Sequence, residues 1–166
     1  MTQKNEAGNI TTTVRERDFT MERIFDAPRE LVFQTFSKPE HISRWWAPRP
    51  YTIPVCNIDF RPGGVWHYCM RSPEGEVHWA RSVYQEITEP EQIVFTTTFA
   101  DQDANPTDEV PLQRATVTLT EYEGKTKVNL RYQFESDEDL QVTVAMGIVE
   151  GITATFGNLE QLLQEI

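Results

Sequence analysis

The chain has 166 residues, 39% of them hydrophobic, and sets 26 acidic side chains against 15 Lys and Arg for a formal net charge of -11. That length suits one domain with one core, and the negative balance argues against docking on nucleic acid or an anionic membrane, which would repel it. No apolar stretch approaches the roughly 20 residues that span a bilayer, and the polar start MTQKNEAGNITTT lacks a signal-peptide core, so a cytoplasmic protein with no membrane insertion is expected.

Residues 1–17 carry few apolar positions and no sustained period, and are expected to form a flexible arm that could add an edge strand to a single domain spanning 18–166. The stretch Phe19-Thr-Met-Glu-Arg-Ile-Phe25 reads as a strand. Asp26-Ala-Pro28 then opens a short helix with the apolar face Leu31, Val32 and Phe36, and a second begins with Pro39 and runs toward Trp45-Trp46, ending before Pro48.

From Tyr51 to Phe134 the pattern turns to strands separated by Arg61-Pro-Gly-Gly64, Ser72-Pro-Glu-Gly75, Glu89-Pro90 and Glu123-Gly124-Lys125. Short turns between sequential strands mean an antiparallel sheet. Val128, Leu130, Tyr132 and Phe134 alternate with Asn129, Arg131 and Gln133, so one face of that sheet is wet and the other needs a cover. The acidic, Pro-bearing segment from Asp101 to Leu112 reads as an exposed loop.

The C-terminal segment supplies the cover. Ser136 followed by Asp139 resembles a capping box, and Met146, Val149, Ile152, Phe156, Leu159 and Leu163 recur at helical spacing. One helix of about 28 residues would reach about 42 Å. Gly147, Gly151 and Gly157 along it point to close packing on the sheet or to a bend, and close packing is the expectation.

Side-chain positions follow from the strand registers. A plain two-residue loop at Pro62-Gly63 would put Trp66, Tyr68 and Met70 on the face opposite Cys56, Ile58 and Phe60, whereas one more loop residue at Gly63 or Gly64 brings all six together. The second register is expected, with Cys56 inward and Cys69 outward, so that the two cysteines form no bond. If Val77, Trp79, Val83 and Ile87 face inward, Arg81 does too. Trp66, Tyr68, Met70 and Trp79 then make an aromatic and thioether wall. Arg81, or Arg23 beside Phe19, Met21 and Phe25, would clamp a ligand carboxylate or pair with a structural acid. Of Trp45 and Trp46, one is expected as a core wedge and one at a cavity mouth.

Chemistry-bearing groups are sparse. His41, His67 and His78 have neither metal-ligand spacing nor a nucleophile partner, no inward carboxylate pair appears, and Cys56 and Cys69 have no CxxC spacing, so no catalytic residue, metal or cofactor is assigned.

Arg23-Ile-Phe-Asp-Ala-Pro-Arg-Glu-Leu-Val-Phe33, Pro39-Glu40, Trp45-Trp46, Asp59-Phe-Arg-Pro-Gly-Gly64, Trp66, Met70 and Tyr84-Gln-Glu-Ile87, in this order, resemble the Hsp90 ATPase activator homologue-like family of the START-like, Bet v 1-like helix-grip superfamily. The resemblance spans residues 19 to 166. It implies an α+β fold in which a curved antiparallel sheet of about seven strands wraps a long C-terminal helix, with two short helices after the first strand. It also implies an internal cavity, used by superfamily members for lipids, polyketides, hormones or other apolar molecules. Ile152 stands where family members commonly place a tryptophan after the glycine. Chaperone activation is not implied, because the co-chaperone that names the family carries a further N-terminal domain for which 166 residues leave no room.

The leading reading is therefore a binding protein, monomeric or homodimeric, for a small apolar or amphipathic molecule, with the expected ligand-binding set Trp45, Trp66, Tyr68, Met70, Trp79, Arg81, Phe95, Met146, Val149 and Phe156. Two other readings are a cyclase- or hydrolase-type enzyme working in the same cavity, and a protein-interaction module whose cavity is filled by its own side chains.

Overall fold

The computed structural model of the chain describes residues 2–5, 10–107 and 111–166, with side chains from residue 10 onward. In chain order these form β1 (Thr2–Asn5), β2 (Ile10–Arg15), β3 (Asp18–Phe25), α1 (Arg29–Ser37), α2 (Pro39–Trp45), β4 (Thr52–Ile58), β5 (Val65–Arg71), β6 (Val77–Thr88), β7 (Gln92–Ala100), β8 (Gln113–Tyr122), β9 (Lys125–Gln133), α3 (Asp137–Ala145) and α4 (Ile148–Glu165). All nine strands join one antiparallel sheet in the order β1-β2-β3-β9-β8-β7-β6-β5-β4.

From β3 onward the order is the expected one: a strand, two short helices, six strands and a helical C-terminus. The sheet exceeds the expected seven strands because the N-terminal segment pairs. The β-branched run Ile10-Thr-Thr-Thr-Val14 suits an extended backbone, β2 pairs with β3, and Ile10 is buried, so residues 10–15 add to the edge of the sheet, as the sequence left open.

The concave face carries the core. Phe19, Met21 and Phe25 of β3, Val117 and Leu119 of β8, and Val128 and Leu130 of β9 alternate inward, as period-2 patterning requires, and meet Phe156, Leu159 and Leu162 of α4. Val32, Phe33 and Phe36 of α1 and Trp45 of α2 close one end. Pro28 precedes α1 and Pro39 occupies the first turn of α2, where a missing N–H costs nothing.

The C-terminal cover departs from a single rod. Ser136 caps α3 by accepting a hydrogen bond from the Asp139 N–H at 3.1 Å, but α3 and α4 are inclined by 60° across Met146-Gly147. Gly147 sits at φ 96°, in the left-handed region that ends helices. A Cβ at Gly151 or Gly157 would meet no atom within 4 Å, so close packing does not account for these glycines. No single helix among the described residues is long and apolar enough to cross a membrane.

Candidate ligand pocket

The bend leaves a pocket of about 400 Å³ between the concave face and the α3–α4 elbow. Its sheet wall comprises Tyr68 and Met70 of β5, His78 and Ala80 of β6, Thr97 and Phe99 of β7, Gln113 of β8 and Tyr132 of β9. Thr143, Met146, Gly147, Ile148, Gly151, Ile152 and Thr155 form the helical wall, and Trp46, Pro48 and Tyr51 come from the connection after α2. Among the described residues no Asp, Glu, Lys or Arg lines it. Ile152 lies on the wall, where a tryptophan would take up part of this volume.

The β4–β5 hairpin has the register expected from its glycines. Cys56 pairs with Tyr68 and Ile58 with Trp66, so these four and Met70 share the concave side, while Cys69 pairs with Val55 on the other. Both cysteines are free thiols. Burial pushes the Cys56 thiol up, and the Trp66 indole acts in the opposite sense.

In β6 the expected facing is reversed. Tyr68 pairs with Ala80, and His67 with Arg81, so Ala80, Ser82 and Tyr84 point inward while Trp79 and Arg81 point to the convex side. The cause is a β-bulge at Gln85, after which Ile87 returns to the inner face opposite Ile93. Counting back from Ile87 by twos crosses that bulge and inverts every residue before it. Trp79 borders the pocket along the strand, but its ring stacks on His67 at 4.7 Å, and His67 Nε2 lies 3.0 Å from the Asp101 carbonyl oxygen. His78, opposite in facing to Trp79, therefore stands on the pocket side.

Of the other expected ligand-binding residues, Trp45 is the wedge rather than the mouth: it is 0% exposed, packs edge-on against Phe36, and donates from Nε1 to the Thr35 carbonyl at 2.8 Å. Its neighbour Trp46 takes the pocket position. Trp66 and Phe95 form a buried layer behind the wall, Trp66 stacking on Tyr68 at 4.6 Å. Phe156 is buried edge-on against Phe25, and Val149 is half-buried outside the lining. Tyr68, Met70 and Met146 do line the pocket, Met146 being 60% exposed at the elbow. Arg23 lies on the face shared by Phe19, Met21 and Phe25, as expected, but is held by Glu160 of α4 and by the Phe25 ring 4.9 Å away, which is the structural pairing.

The sequence pattern passed over Tyr132 as a pocket residue, although its alternation with Leu130 and Val128 already placed it on the inner face. Three phenols converge in this region. Burial pushes Tyr68 up to about 12 against the opposing hydrogen bond from Trp46, and pushes Tyr84 and Tyr132 up further still. All three are neutral donors near neutral pH. Among the described residues no group of three or more His, Cys, Asp or Glu stands close enough to hold a metal ion.

The family model described as Activator of Hsp90 ATPase homolog 1-like protein matches residues 26–164. A crystal structure of a protein from Mycobacterium smegmatis is 27% identical, with 98% of this chain and 95% of that one covered at a TM-score of 0.81. The solution structure of a protein from Arthrobacter aurescens is also 27% identical, covering 100% and 92% at a TM-score of 0.83. The AHSA1 protein from Silicibacter pomeroyi, 21% identical, shares the fold over 89% and 97% at a TM-score of 0.72. No curated protein matches.

Proposed function

The chain belongs to the Activator of Hsp90 ATPase homolog 1-like family, with its helix-grip fold, and on that premise we propose that it binds a small apolar or amphipathic molecule at the α3–α4 elbow, for transport, sequestration or sensing. The observation that carries this reading is the pocket of about 400 Å³ whose wall is aromatic, aliphatic and thioether with a few neutral polar groups. Small-molecule sites have this character and a volume of roughly 300–1,000 Å³. An enzyme in the same space would need a positioned proton acceptor; among the described residues the lining offers no carboxylate, burial makes its phenols poor bases, and His78 is exposed on the wall with no hydrogen-bond partner to orient it.

Gly151 supplies the test. It lines the pocket, and a Cβ there would meet nothing within 4 Å, so a larger side chain would enter the open space. Gly151→Leu also replaces a mid-helix glycine with a residue favoured by about 1 kcal/mol. The wild-type chain is expected to bind a neutral environment-sensitive naphthalene dye, and Gly151→Leu to lose that binding with thermal stability equal or higher. Native mass spectrometry of freshly purified protein would add the mass of any co-purifying molecule. Equal dye affinity in the two proteins would sink this reading.

A further inference from the structure

The buried hydroxyls of the pocket wall differ in what they have left to give. Thr143 donates to the Asp139 carbonyl and Thr155 to that of Ile152, each at 2.9 Å. Thr97 is engaged with Ser82 at 2.8 Å. The protons of Thr143 and Thr155 are committed within the protein, and Ser82 and Thr97 share one bond between their two hydroxyls. Tyr68 differs, because its hydroxyl accepts from Trp46 Nε1 at 3.0 Å. A phenol has one proton to give, and no described residue accepts that of Tyr68. No described residue hydrogen-bonds the Tyr132 hydroxyl, although Tyr132 lines the same pocket and is 5% exposed. Gln113 and Thr98 are further neutral polar wall residues, Tyr51 adds an exposed phenol, and His78 and Trp79 add ring nitrogens.

Charge is the second consideration. Among the described residues no Lys or Arg lines the pocket, Arg81 lies on the convex side, and Arg23 is paired with Glu160. The one ionisable nitrogen on the wall among the described residues belongs to His78, which is exposed. A carboxylate entering past it would give up water with no cation to replace it. The chain's net charge of -11 repels the same anion at a distance.

We infer that the pocket selects uncharged molecules bearing a hydrogen-bond acceptor, a ketone or ester carbonyl on an apolar frame, over the corresponding carboxylates, and that Tyr68 and Tyr132 supply the donors. This rests on the pocket being a binding site at all. The acceptor meets protons that burial keeps on the phenols, while a pure hydrocarbon would leave those donors unmatched.

Three probes of one frame test the inference: acetylnaphthalene, ethylnaphthalene and naphthoate, titrated calorimetrically at about pH 8, above the usual histidine range. Acetylnaphthalene is expected to bind about tenfold more tightly than ethylnaphthalene, and naphthoate more weakly than either. In Tyr68→Phe/Tyr132→Phe the preference for the ketone disappears: acetylnaphthalene and ethylnaphthalene bind alike, and ethylnaphthalene binds at least as tightly as to the wild-type chain because no donor is left unmatched. Equal binding of ketone and hydrocarbon, or tighter binding of naphthoate, overturns the selectivity while leaving the pocket as a binding site. Failure of all three to bind removes the site and the inference together.

Discussion

A β-carbon on Gly64 would stand 2.0 Å from the Asp59 carbonyl oxygen and 2.9 Å from that of Arg61, distances no side chain tolerates. The approach is this close because the turn is folded onto itself: Gly64 N–H donates to Arg61 at 2.8 Å, and its carbonyl accepts from Tyr84 at 3.0 Å. Neighbouring Gly63 has the left-handed φ of 82°, with open space around its Cβ position. The two glycines therefore serve different physical ends, and their alanine variants separate them. Gly63→Ala is expected to cost about 1 kcal/mol of unfolding free energy, and Gly64→Ala about 3 kcal/mol or more, since backbone must move. Urea denaturation reads both values; parity between the variants would refute the close-approach argument. This turn sets the register of Cys56 against Tyr68, and with it which side of β5 meets the pocket. That much was readable in the residues, because only one loop length puts all six apolar side chains on one face.

At the scale of elements, the elbow at Gly147 governs the pocket. The space around a Cβ there is adequate, its nearest neighbour being Glu150 Oε2 at 3.9 Å, so the constraint is φ 96° alone. Gly147→Ala should lower stability by about 1 kcal/mol and weaken dye binding, whether the strain is borne or is relieved by straightening the helix. Gly147→Asn should recover part of both losses, because asparagine tolerates the left-handed region better. Denaturation and dye titration on the same variants check this, and an alanine variant with wild-type affinity and stability would show that the bend does not shape the site. Helical periodicity runs through Met146, Val149, Ile152 and Phe156 without a break, which is why sequence alone favoured one rod. A period reports which side of a helix is apolar, not whether its axis turns. The same limit explains β6, where a single bulge at Gln85 inverted the facing of Trp79 and Arg81. Adjacent Trp45 and Trp46 illustrate it again: both are apolar, and only the helix end decides which is core.

At the scale of the whole molecule, the C-terminal cover is held unevenly. The far half of α4 is pinned to the rest of the fold: Asn158 donates to the Ala47 carbonyl at 3.0 Å, Arg49 donates to Gln161 at 2.6 Å, Arg44 pairs with Glu165 at 2.5 Å, and Arg23 reaches Glu160. Phe156, Leu159 and Leu162 are buried beneath these bonds. The near half has Gly151 and Ile152 against the pocket and exposed Met146 just before it, and among the described residues no side-chain hydrogen bond or ion pair ties it to another element. Local opening is favoured where buried apolar contacts are few, so the near half is the softer one, and a molecule in the pocket would contact that half. The comparison must avoid the first turn, whose N–H groups lack helical partners in any case; Gly151, bonded to Gly147 at 2.9 Å, is the first useful probe. Hydrogen exchange at residues 151–155 is accordingly expected to be faster than at 158–162 in the free protein. The neutral naphthalene dye should slow the first group much more than the second, because stabilisation by a ligand is felt most where opening would release it. Equal slowing along all of α4 would mean that the dye acts only through global stability, and would place it away from the elbow.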